Sequence, residues 1–123
     1  MYLPRLEQLK NEGTTWLRML DFLQQENILL KHRLGEILQL KVGTELLENA
    51  ELYQTSFLNK DLLISVLRHD IKIHEQQIQR FQQDTEARNI LTRHSTLRLD
   101  MEKLEQDFTR LRSSFYSYFS ETL

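Results

Sequence analysis

The chain has 123 residues, 16 basic and 18 acidic, for a net charge of −2, so a single domain is expected, with no electrostatic footprint for nucleic acid or an anionic membrane. Its 24 leucines against 3 glycines, 1 proline, 2 alanines and 2 valines favour helix and leave too few turn formers for an all-β or α/β domain. With no cysteine there is no disulfide framework, thiolate nucleophile or Cys-based zinc site, and no apolar run reaches signal-peptide or membrane-spanning length, so a cytoplasmic protein is expected.

Pro4 suits a first helical turn, where its missing N–H needs no partner and its fixed φ is already helical. From Leu6 a heptad seam runs without a slip: Leu6, Gly13, Leu20, Asn27, Leu34 and Lys41 alternate with Leu9, Trp16, Leu23, Leu30 and Ile37. The first helix is therefore placed at about residues 4–42, with Gly13-Thr14-Thr15 as an alternative break. Asn27 is a lone amide on this seam, and such a group costs stability but penalises wrong registers.

Lys41-Val42-Gly43-Thr44-Glu45 reads as a helix stop and restart: a cation in the last turn, a glycine suited to positive φ, a capping threonine and then an acid. The second helix, about 44–85, carries Leu46, Ala50, Tyr53, Phe57, Lys60, Ile64, Leu67, Ile71, His74, Ile78, Phe81 and Thr85 on one seam. Ser56 or Asn59 could cap a separate helix, but the phase continues through both. The next seam is Ile90, His94, Leu97, Met101, Leu104, Phe108, Leu111, Phe115 and Tyr118, and the step of five from Thr85 to Ile90 implies a turn within 84–89. A third helix at about 88–121 completes an all-α fold, an antiparallel up-down-up three-helix bundle of long coiled-coil-like helices spanning 1–123.

Motifs for catalysis are missing: there is no Gly-rich phosphate loop, GxSxG elbow, HExxH or di-iron ExxH pair, so neither enzymatic activity nor a cofactor is expected. His32 and Glu36 stand at i,i+4, but at outer heptad positions and far from His74 in height. His74 and His94 sit on core-facing seams of adjacent helices and come level if the turn centres near 84. With Asp70 one turn away they form either a hydrogen-bonded polar layer, a pH-sensitive layer or a divalent-metal site.

Surplus apolar residues suggest a partner. Phe22 and Leu29 lie outside the first seam, and four aromatics crowd residues 115–119, with Tyr116 and Phe119 among them. The third helix is the shortest, so it is expected to stop up to about 18 Å short of the bundle end near Gly43, or nearly to reach it if the turn centres at 84. The gap would leave Leu34, Ile37, Leu38, Leu40, Val42, Leu46 and Leu47 to be covered by a second copy or another helical protein. The expected role is a non-catalytic assembly or adaptor module working through helix–helix contacts. The alternative is a helical-bundle metalloprotein or sensor built on His74 and His94.

Overall fold

The computed structural model describes residues 3–40, 42–81 and 86–121, with side chains from residue 5 onward. Its helices are α1 Leu3–Leu38, α2 Thr44–Gln79 and α3 Ala87–Tyr118. Each packs on the other two as an all-α three-helix bundle, with no strand among the described residues.

Cross-helix contacts give the path. Gly13 of α1 lies against Glu75 of α2, Asp21 pairs with Arg68, and Asn27 bonds Asp61, so the numbering runs in opposite directions. His74 meets His94 and Tyr53 meets Ser114, which makes α2 and α3 antiparallel as well. Glu12 and Glu26 of α1 meet Arg98 and Arg112 of α3 in parallel order.

The heptad spacing sets the core because residues three and four apart share one helix face. Leu9, Gly13, Trp16, Leu20, Leu23, Asn27, Leu30, Leu34 and Ile37 are all buried, and α1 runs unbroken through Gly13. On α2 the buried residues are Ala50, Phe57, Ile64, Leu67, Ile71, His74 and Ile78. On α3 they are Ile90, His94, Leu97, Met101, Leu104, Phe108 and Phe115, with Phe119 just beyond the helix. The apolar core is divided in two. A long cluster runs from Trp16 to Phe119, and a short one joins Leu9, Ile78 and Ile90, with the paired imidazoles of His74 and His94 lying between them.

Helix ends differ from the sequence expectation. α1 stops at Leu38, four residues before 42, and its last turn tightens through Gln39 N–H to Glu36 O and Leu40 N–H to Ile37 O. Gly43 has φ −66° and ψ 162°, so it is not a left-handed stop: it is the extended N-cap of α2, whose carbonyl accepts from Leu47 N–H. A connection of five residues, 39–43, is long enough to reverse the chain without positive φ at Gly43. α2 ends at Gln79, six residues before 85, leaving Phe81 of the expected seam beyond the helix. α3 spans 87–118 in place of 88–121. Lys41 and Thr85, placed on the seams, lie outside the described residues.

The end of the bundle near Gly43 is more fully closed than expected. Phe119 comes within 5.6 Å of Tyr53 and 5.2 Å of Phe115, ring centre to ring centre, and is fully buried. His74 stands level with His94 and Tyr53 with Ser114, the pairing of a turn centred near 84, so α3 reaches high along α2 and covers the hairpin. Leu34 and Ile37 are therefore buried within their own chain, and Phe119 with them, so these three are core residues and not part of an open interface. Tyr118, expected on the seam, is instead 41% exposed.

Candidate functional site

The polar layer is built from all three helices. His74 Nε2 lies 3.0 Å from His94 Nδ1, and His94 Nε2 lies 3.2 Å from Glu12 Oε2. Arg98 donates to the same Glu12 oxygen at 2.6 Å, and the Trp16 ring stacks over His94 with centres 4.6 Å apart. The proton positions follow from the chemistry of the acceptor. An ionised carboxylate only accepts, so His94 Nε2 carries the proton and donates to Glu12. Neutral His94 then offers Nδ1 as an acceptor, and His74 Nε2–H donates to it. His74 Nδ1 is left as a buried lone pair with no hydrogen-bond partner among the described residues.

Charge in this layer is tuned in two directions. Burial, the adjacent His94 and then Arg93 push His74 down from 6.5 to about 4, so it is neutral at physiological pH. Burial likewise lowers His94; the hydrogen bond and charge of Glu12 oppose this, and Arg98 and Arg5 add to it. For Glu12, burial favours the acid form, but the hydrogen bonds and charges of Arg98 and His94 outweigh it and hold the carboxyl below its ordinary value.

Asp70 does not join the imidazoles. It faces outward, with Arg93 at 3.8 Å and His69 at 3.5 Å, and the carboxylate of the layer comes instead from α1. The imidazole nitrogens face each other and Glu12 in a line, with no common point for an ion, and no group of three or more ligating side chains converges among the described residues. His32 and Glu36 form an exposed pair at 3.2 Å, as outer heptad positions require.

Gly13, beside this layer, has a packing role. A methyl group there would meet Glu75 Oε1 at 3.0 Å and Cγ at 3.5 Å. The carboxylate is the free end of a flexible side chain, whereas glycine inside a helix costs up to about 1 kcal/mol against alanine. Gly13→Ala is therefore expected to raise the thermal midpoint by a few degrees. A fall in calorimetry would mean that Glu75 is held in place.

Asn27 makes the second polar layer. Its Nδ2 donates to Phe57 O at 2.9 Å and Asp61 Oδ1 at 2.7 Å, while Lys31 pairs with Asp61 at 2.5 Å. All these bonds join α1 to α2, so a shift of either helix by one heptad would strand them.

Of the apolar residues expected at an interface, Phe22, Leu29, Leu40, Leu47 and Tyr116 are exposed, and Leu38, Val42 and Leu46 are half-buried. Of the three helices, α2 carries the most exposed large apolar side chains. Leu52, Leu58, Leu62, Leu63, Val66 and Ile73 all project from α2 with 38–67% of their area in solvent. Leu62 and Ile73 lie on the side of α2 opposite the Ile64–Ile71–Ile78 core row, and Val66 and Leu63 line the groove beside α3, so the outer face carries a second apolar set between charged ends. Sequence reasoning missed the outer face because the stronger seam accounted for α2. A second apolar set at helical spacing along Leu58–Ile73 is the signal that could have shown it. Glu12 left no comparable local signal, since its pairing depends on the relative height of α1 and α3.

Comparison with known proteins returns no matching family model, no similar curated protein and no similar solved structure. Among the described residues, no helix is long and apolar enough to cross a membrane.

Proposed function

We propose that the protein is a non-catalytic helical assembly or adaptor module that works through helix–helix contacts, and that its working surface is the outer face of α2. The observation that carries this reading is the second apolar face of the middle helix, Leu52, Leu58, Leu62, Leu63, Val66 and Ile73. A second apolar stripe along one helix is the kind of surface that a partner covers. Covering side chains that are about half exposed gains roughly 1 kcal/mol each, enough in sum for a specific partner helix after the cost of association.

A photo-crosslinking residue at Asn59, within this face, tests the reading in the cells that make the protein. A discrete covalent adduct is expected from Asn59 and none from the same probe at Glu102, an exposed position on α3. Equal adducts at both positions, or none at Asn59, would remove the α2 face as the working surface.

A second reading is favoured by one observation, the buried line of Glu12, His94 and His74. A layer that must stay neutral to stay buried makes the fold responsive to acid, and in this reading the protein is a pH sensor. Its test is the acid titration described in the Discussion.

A further inference from the structure

The outer face of α2 carries two kinds of order that together specify an occupant. The first is spacing. Leu52 and Ile73 stand equally far on either side of the Leu62–Leu63 step, and Asn59 and Val66 do the same closer in, with Leu58 beside that inner pair. A face with this symmetry meets its own copy in good register when the copy runs antiparallel about a two-fold axis at Leu62–Leu63.

The second kind of order is charge. The N-terminal half of the exposed face carries Glu45, Glu48 and Glu51, and the C-terminal half carries His69 and Arg80, with Lys72 on its flank. Asp70, beside Leu63 and Val66, is already engaged by His69 and Arg93. In a parallel pair these halves would set acid against acid. An antiparallel pair brings Glu51 within a turn of the other copy's Lys72 and Glu48 within a turn of its Arg80. Antiparallel alignment also opposes the two helix dipoles.

We infer that two copies of this chain pair through the outer faces of α2, antiparallel about a two-fold axis at Leu62–Leu63. The inference rests on the proposed assembly role and names its partner as a second copy. The exposed apolar residues of the bundle end, Leu40 and Leu47, are not part of this pairing.

The natural chain has no cysteine, so each introduced thiol reports alone. Purified full-length protein is expected to have twice the chain mass by light scattering at micromolar concentration. Under mild oxidation Leu62→Cys is expected to crosslink to itself. Leu52→Cys alone is not, since antiparallel copies hold these positions about 30 Å apart. Leu52→Cys mixed with Ile73→Cys is expected to give the mixed crosslink. Leu62→Glu with Val66→Glu, both at exposed positions, should keep the helical circular dichroism and weaken pairing by about 100-fold or more. Self-crosslinking of Leu52→Cys would mean a parallel pair and overturn the inference, as would a dimer indifferent to the two glutamates. A wild-type monomer at high micromolar concentration would also overturn it. An Asn59 adduct to a different protein would then leave the assembly role standing, and only the loss of both signals would end both readings.

Discussion

Acidification from neutral pH to about 4 is expected to strip several kcal/mol from the stability of this bundle, most of it through the histidine layer. The unfolded chain takes up protons on its imidazoles near 6.5, whereas folded His74 holds out to about 4 and folded His94 is also lowered. The unfolded state thus binds more protons across that window, and stability falls as pH falls through it. Above 6.5 both states are neutral at these positions and the contribution is fully present. For His74 alone the difference between 6.5 and about 4 corresponds to about 3 kcal/mol, out of roughly 5–15 for a whole domain. Glu12 acts in the same direction lower down, because its folded carboxyl lies below the ordinary value and must be protonated last.

Of the groups facing the layer, only Glu12 opposes this sign. Glu12 and Arg5 come from α1, His74 from α2, and His94, Arg93 and Arg98 from α3; a proton added to His74 meets burial, the second imidazole and Arg93, while at His94 burial, Arg98 and Arg5 outweigh the pull of Glu12. Urea denaturation at closely spaced pH values checks the slope. His74→Leu with His94→Leu removes both ends of the inner hydrogen bond, leaves Glu12 with Arg98, and is expected to flatten the curve between 6.5 and 4. A wild-type chain as stable at pH 4.5 as at pH 7 would show that the layer opens to water and does not titrate as a buried unit.

Truncation of the aromatic plug is the other large effect. Phe119→Ala and Phe115→Ala are each expected to cost about 3–5 kcal/mol, because both rings are fully buried against Tyr53 and the cavity cannot easily collapse. Tyr116→Ala, one residue from Phe115 but 43% exposed, is expected to change the folded monomer by under about 1 kcal/mol. Thermal unfolding of the three variants at low concentration decides it. Were Phe119 a docking residue, its loss would change the mass in solution and spare the melting curve. Comparable melting for Phe119→Ala and wild type would therefore reopen the end of the bundle as an interface.

The aromatic run at 115–119 also shows how far residue pattern alone could reach. A helix cannot bury four aromatics in five residues on one side, and Tyr116 and Tyr118 do face solvent while Phe115 and Phe119 are buried. Which pair went inward depended on how high α3 stands against α2. That height is set by where the chain turns between them, at a point with no glycine or proline to mark it. A pairing centred near 84, the early end of the expected range, sets α3 high along its neighbours and turns an expected gap over Leu34 and Ile37 into core.

The residues by themselves determined the helices, the three seams and the register amide, because spacing of three and four is a local property of the chain that a helix converts directly into one buried face. Gly13 lay on its seam, Asn27 bridged α1 to α2, and His74 and His94 met at one level. Tertiary structure alone decided which carboxylate completed the histidine layer: Glu12 is more than sixty residues from His74 in sequence and reached His94 only through the parallel offset of α1 and α3, while nearby Asp70 turned outward to Arg93. It also decided which apolar surface stayed outside. A second stripe on α2 is legible as a pattern, but whether a stripe is core or surface depends on how many neighbours surround the helix, and in a three-helix bundle each helix has two, neither of which covers Leu62.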